Sequence, residues 1–357
     1  MSREKSTRDA PRLLGLKVGD LVEVKSAAEI LSTLDGEGRL DGLPFMPEML
    51  AFCGQRLRVS RVAHKSCDTI DQTGGRRMVG AVHLEATRCD GSSHAGCQAG
   101  CLLYWKEVWL KPAAGREPAA APPPVPDHAV DPIVRGTRQP ASGTSEADIR
   151  YRCQTTELKN ATLPLPWWDA RQYASDIASG NITWRQLVNG LAYTGFRKLT
   201  EIGIGYTLLV GAYNRFQRWR GGRPFPLRTG SKTDTRDEKL DLMPGDWVRV
   251  KSHDEILATL DARNKNRGLS FDAEMVRYCG GIHQVESRVT RIIEEKTGRM
   301  LKINNSCIIL RDVYCRGEFS KYRLFCPRAI YSYWRENWLE RTEPPADVLE
   351  TPHNKRA

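Results

Sequence analysis

Apolar and polar residues alternate at two distant places in this chain. Val22 and Val24 alternate with Glu23 and Lys25, and Val248 and Val250 alternate with Arg249 and Lys251. A period of two predicts a half-buried strand at each place. Each strand runs into the same signature, Ser26 with Glu29 and Ser252 with Glu255, which fits a capping box. The serine hydroxyl takes a free amide of the first turn and the glutamate reaches back to the cap amide. Ile30, Leu31 and Leu34 then fall on one face of a short helix. A second, shorter helix is predicted with Pro47 in its first turn and Gly54 just past its end. Its counterpart has Asp272 as cap and Gly280 as stop. Further alternation predicts strands over residues 56–62 and 77–86, followed by a Gly- and Cys-rich loop leading into a tryptophan segment.

These parallels form a duplication. Of 17 residues starting at Gly19, 12 are identical to those starting at Gly245. Gly42, Leu43, Phe45, Glu48, Met49, Cys53 and Gly54 match Gly268, Leu269, Phe271, Glu274, Met275, Cys279 and Gly280, and residues 105–110 match 334–339. Two copies with so long a period are a duplicated domain, not a solenoid. The division that follows is 1–111 for the first copy, 112–148 for a Pro/Ala-rich extended linker, 149–240 for a basic helical segment, 241–342 for the second copy and 343–357 for a loose tail. Trp105, Trp109, Trp334 and Trp338 recur in both copies and are expected in the cores, as are Cys53 and Cys279.

The opening Gly-Asp-x-Val-x-Val of each copy, about ten residues in each, resembles the first strand of SH3-like small barrels of the KOW type. The resemblance implies a small antiparallel barrel. The expected fold is therefore α+β: two small domains, each with an antiparallel sheet, barrel or open, and two short helices, plus a helical middle segment.

Composition narrows the function. Apolar residues make up 40% of the 357, which excludes a wholly disordered chain, and no run approaches a membrane span. The charged N-terminus lacks a signal-peptide apolar region, which predicts a cytoplasmic protein, and 10 cysteines are too few for a disulfide scaffold. Thiols in a reducing compartment are ligands, reactive groups or core residues. Lys and Arg exceed Asp and Glu by 54 to 43, and 8 of the resulting 11 positive charges belong to residues 149–240. There an uncharged run, 202–213, precedes Arg215, Arg218, Trp219, Arg220 and Arg223. The simplest expectation is a helix buried between the copies. The same layout suits an anionic membrane surface, placing the protein at the inner membrane face, or a nucleic acid.

Cys89, His94, Cys97 and Cys101 lie in one loop among small residues. Thiolates and imidazole are the donors tetrahedral zinc takes, with Cys67 the other candidate for a fourth ligand and His64 and His83 further candidates. Cys89 aligns with Cys315 and Cys97 with Cys326, but Ile330 replaces Cys101, so a second site would need Cys307. Asp90 and Glu85 flank the loop, and Cys153 could reach a site in a neighbouring domain. No P-loop, GxGxxG, GxSxG or HExxH is present. The expected function is a non-enzymatic zinc-binding scaffold with an unidentified protein partner. The alternatives are the peripheral membrane or nucleic-acid binder above, a redox or nucleophilic thiol, and a metalloenzyme with an open coordination position at the cysteine loop.

Overall fold

In a computed structural model, the described residues are 13–345 except 72, 114–126, 140–148, 202–205, 220–224, 227–229, 231–238 and 320–322. The predicted alternation places Leu21–Val24 and Trp247–Val250 in sheets, with Val22, Val24, Val248 and Val250 fully buried. Both capping boxes form, opening helices Ala27–Leu31 and His253–Leu257. The second helices, Pro47–Phe52 and Ala273–Tyr278, are 3-10 turns, and Gly54 and Gly280 follow them with φ of +78°. Only glycine adopts that backbone without strain.

The structure is α+β, and its main sheets are antiparallel. In the first, the five strands run in the spatial order Trp105–Lys106, Ala81–Leu84, Arg56–Val62, Leu21–Val24, Leu110–Pro112. The second has the corresponding strands in the same order: Tyr331–Trp334, Ile308–Tyr314, Ile282–Arg288, Trp247–Val250, Leu339–Arg341. Register is shared too. Val22 opposes Leu57 where Val248 opposes His283, and a bulge falls after Val59 and after Val285.

Phe45 meets Trp105 and Trp109 edge-on at 6.2 and 5.2 Å, and Phe271 meets Trp334 and Trp338 at 6.1 and 5.5 Å. All four tryptophans are fully buried, and the Nε1 of Trp109 and Trp338 donates to Thr33 and Thr259. Trp109→Ala or Trp338→Ala should lower stability in urea unfolding by about 3–5 kcal/mol, the range for large-to-small core changes. Trp219→Ala, at a position 83% exposed, should stay within about 0.5 kcal/mol.

Two stretches depart from the sequence reading. The segment read as an extended linker contains a helix, Asp127–Gly136, whose Val130 and Ile133 pack on the first core. Its prolines hid this short amphipathic stretch. Residues 149–165 are not helical. They form strand Arg150–Tyr151, a turn that places Leu158 in the first core, and strand Leu163–Leu165. The remaining middle segment is helical, at Arg171–Ala178, Trp184–Glu201 and Tyr206–Trp219. The last two are not buried between the copies: Trp184, Leu208 and Trp219 are 67%, 80% and 83% exposed. Among the described residues, no helix is long and apolar enough to cross a membrane.

The copies exchange hairpins. Lys65–Cys67 pairs with Gly75–Arg77, and Arg291–Ile293 with Met300–Lys302. Lys65 Nζ donates to the Leu324 carbonyl at 2.8 Å in the second copy. Reciprocally, Gln98 N donates to the Arg291 carbonyl at 3.1 Å, and Ile293 N to Cys97 Sγ at 3.4 Å. Each hairpin therefore lies against the cysteine loop of the other copy.

Candidate metal centre

The cysteine loop is shaped by glycine. Gly91 has φ of +74°, and a Cβ there would lie 2.0 Å from the Cys97 carbonyl oxygen. No side chain fits, and the close approach folds residues 91–97 back on themselves. Asp90 accepts from the Ser92 amide at 2.9 Å and fixes the turn carrying His94. Cys89 is held from the other side, its amide donating to the Cys101 carbonyl at 2.8 Å.

This fold sets Cys89 and His94 against Glu48 of the 3-10 helix Pro47–Phe52. The Cys89 thiol donates to Glu48 Oε1 at 3.1 Å, and His94 Nδ1 lies 4.0 Å from the same oxygen. The three ligand atoms lie within 4.8 Å of one another. Zinc bonds of about 2.0–2.3 Å in a tetrahedron put ligand atoms about 3.3–3.8 Å apart, so only small side-chain shifts are needed. A metal ion fits this group. The His94 ring and the Glu48 carboxylate are 1% and 4% exposed. Among the described residues, neither ring nitrogen of His94 nor Glu48 Oε2 makes a well-formed hydrogen bond. Buried polar atoms are rarely left so, because each loses water without replacement.

Electrostatics point the same way. Burial, with the Glu48 charge second, pushes the Cys89 thiol far up. Burial also lowers the His94 pKa, while Glu48 and the Arg152 backbone favour its protonated ring. A cation among these groups would offset the crowding of the carboxylate and thiol.

Cys97, Cys101 and Cys153 line the same cavity, of about 40 Å³, with Ile293 and Glu295 of the second copy. Cys97 accepts from the Ile293 amide and Cys153 is 3.1 Å from Thr155 Oγ1. An ionised Cys101 would push the Cys89 thiol further up. Burial, partly offset by Arg328, pushes Cys101 up to about 12.

The other candidates are placed elsewhere. Cys67 lines a second cavity, in the other copy. His83 Nδ1 donates to the Leu103 carbonyl at 2.9 Å, and burial pulls its pKa down to about 4. His64 lies 3.2 Å from Asp176 and 3.3 Å from the Gln172 carbonyl. Glu85 is exposed. Arg215, Arg218 and Trp219 are exposed on the helix Tyr206–Trp219, and Arg220 and Arg223 lie outside the described residues. Glu48 was missed by spacing arguments, although its match to Glu274 in an apolar stretch was the available signal.

The second cavity, about 360 Å³, is lined by Cys67, Asp272, Glu274, Cys315, Arg323 and Cys326 among others. Cys307 does not line it. It sits with Val289 and Ile309, and burial pushes its thiol to about 11. Among the described residues, no histidine lines this cavity. Burial opposes the charge of Arg323, but Cys67, Asp272, Cys315 and Cys326 together outweigh it. With Cys97 aligned to Cys326, a guanidinium thus stands where the first copy has the His94 imidazole.

Comparison with protein-family models, curated proteins and solved structures finds no match.

Proposed function

We propose that this chain is a zinc-binding scaffold protein, its ion held by Glu48, Cys89, His94 and Cys101. The observation that carries the reading is a buried cluster in which both His94 ring nitrogens and Glu48 Oε2 make no well-formed hydrogen bond, beside a thiol and within reach of one another. The donor set of sulfur, nitrogen and oxygen suits zinc. A cavity of about 40 Å³ holds an ion or a water or two, not an ion with a substrate. That favours a closed centre over a metalloenzyme. The ion would tie the 3-10 helix Pro47–Phe52 to the cysteine loop, and through Cys97 and Ile293 support the contact between copies.

Metal analysis of the purified protein should find one equivalent of zinc, and Cys89→Ser should remove it. Absence of zinc from protein grown and purified without chelator would overturn the reading. The affinity should also depend on pH. Both thiols are held protonated without metal, whereas burial favours neutral His94. Binding then releases about two protons, so affinity should rise about 100-fold per pH unit near neutrality. A competition titration with a chelator at several pH values reads this, and a flat response would contradict it.

A second reading has its own observation. The helices Trp184–Glu201 and Tyr206–Trp219 expose Trp184, Leu208, Phe216 and Trp219 beside Arg215 and Arg218. An apolar and aromatic face flanked by guanidinium groups suits an anionic membrane surface. Flotation with phosphatidylserine vesicles should exceed that with neutral vesicles and fall several-fold in Arg215→Gln/Arg218→Gln. Equal flotation with both vesicle types, or binding to single-stranded oligonucleotide alone, would contradict it.

A further inference from the structure

We propose that Cys67 and Cys326 form a hydroperoxide-sensitive dithiol that closes into a disulfide between the two copies. None of the proposed metal ligands takes part. The placement follows from two clamps that hold strand Lys65–Cys67 beside residues 324–328. Lys65 Nζ donates to the Leu324 carbonyl at 2.8 Å, and Arg328 Nη1 donates to Thr69 Oγ1 at 2.8 Å. Both clamps join residues 259 apart in sequence, and Cys67 and Cys326 have that same separation midway between them. Each of the two thiols shifts the pKa of the other, and both line one cavity.

The pair is reachable. Both thiols line the cavity of about 360 Å³, which is ample for a peroxide molecule. Cys67 is suited to be the attacking thiol. The hydrogen bond from Cys326 brings its pKa down to about 6, against burial and with help from Arg328 and Arg323, Glu295 opposing. Cys326 is pushed the other way by the same hydrogen bond and by burial, so it keeps its proton. Cys315, the third thiol on this cavity, is pushed up by burial. The asymmetry is that of a nucleophile and a resolving thiol.

The chemistry balances. The Cys67 thiolate attacks one oxygen of hydrogen peroxide and the O–O bond breaks. Cys67 becomes a sulfenic acid, and the departing hydroxide takes a proton from solvent as water. Cys326 then loses its proton and its sulfur attacks the Cys67 sulfur. The S–O bond breaks and hydroxide leaves with that proton as water. Two thiols and one peroxide yield one disulfide and two waters. Peroxide supplies the oxidising equivalents, and an added dithiol restores the reduced pair.

The test treats the zinc-loaded full chain with one equivalent of hydrogen peroxide. Free thiols are then blocked with N-ethylmaleimide, and non-reduced peptides are mapped by mass spectrometry. A Cys67–Cys326 peptide should be the first crosslink to appear and should vanish on reduction. Cys326→Ser should stop at a Cys67 sulfenic acid that dimedone traps, and Cys67→Ser should leave Cys326 alkylated. The rate should climb with pH and level off above about 6, where Cys67 is ionised. A first crosslink elsewhere, such as Cys89–Cys101 or Cys67–Cys315, would overturn the proposal. So would complete alkylation of Cys67 after peroxide. The map of the unaltered protein decides this even if a variant fails to fold.

Discussion

Asp176→Ala should destabilise the protein by about 3–5 kcal/mol, because it leaves a buried ammonium without its counter-charge. Lys65 is 3% exposed, and its Nζ lies 2.5 Å from Asp176 Oδ2 and 2.8 Å from the Leu324 carbonyl. Three parts of the chain meet here: a hairpin of the first copy, the helix Arg171–Ala178 and the cysteine segment of the second copy. Burial already lowers the Lys65 pKa, with Asp176 opposing the shift. Without the carboxylate the folded-state pKa falls further below its unfolded value. The unfolded chain then binds more protons than the folded one, so the variant should gain stability as pH rises and lose it as pH falls. Urea unfolding at two pH values checks both magnitude and sign. Lys65→Met with Asp176→Leu should recover most of the loss, since removing both charges leaves no unpaired ion.

His94→Ala should weaken zinc binding by about 100-fold or more, the scale of losing one of four ligands or its support. Its effect on the folded, metal-free protein should be much smaller, because the ring makes no well-formed hydrogen bond there. Zinc should consequently raise the melting temperature of the parent and leave that of the variant nearly unchanged. An equal rise in both would remove His94 from the ligand set.

What the sequence disclosed depended on range. The strands at Val22 and Val248, the capping boxes at Ser26 and Ser252 and the tryptophan cores are signals carried within a few residues, repeated in two copies. The cysteine loop was visible for the same reason, since Cys89, His94, Cys97 and Cys101 are close in sequence. Three features lay outside any pattern of local spacing. Glu48 comes to Cys89 from 41 residues away on a turn whose neighbours are apolar. Cys67 is a third thiol for the second copy because the hairpins are exchanged, and no pattern within one copy encodes which neighbour a hairpin meets. The helix Asp127–Gly136 carries Pro132 in its interior and follows a proline-rich stretch, so local propensity argues against what packing of Val130 and Ile133 achieves.

The two five-stranded sheets of matching strand order give the two cavities a common frame and different contents. In the first, Glu48, Cys89 and His94 cluster, and Glu48 Oε2 and both ring nitrogens of His94 make no well-formed hydrogen bond. In the second, Arg323 supplies fixed positive charge beside Cys67, Cys315 and Cys326. A group that could hold a cation and a cavity that already contains a guanidinium share a clustering of acid and thiol groups.

X-ray absorption at the zinc edge of the purified protein tests the central claim most directly. The expected shell is two sulfurs at about 2.3 Å with one nitrogen and one oxygen at about 2.0–2.2 Å, from Cys89, Cys101, His94 and Glu48. A shell of four sulfurs, or one of light atoms alone, would contradict it.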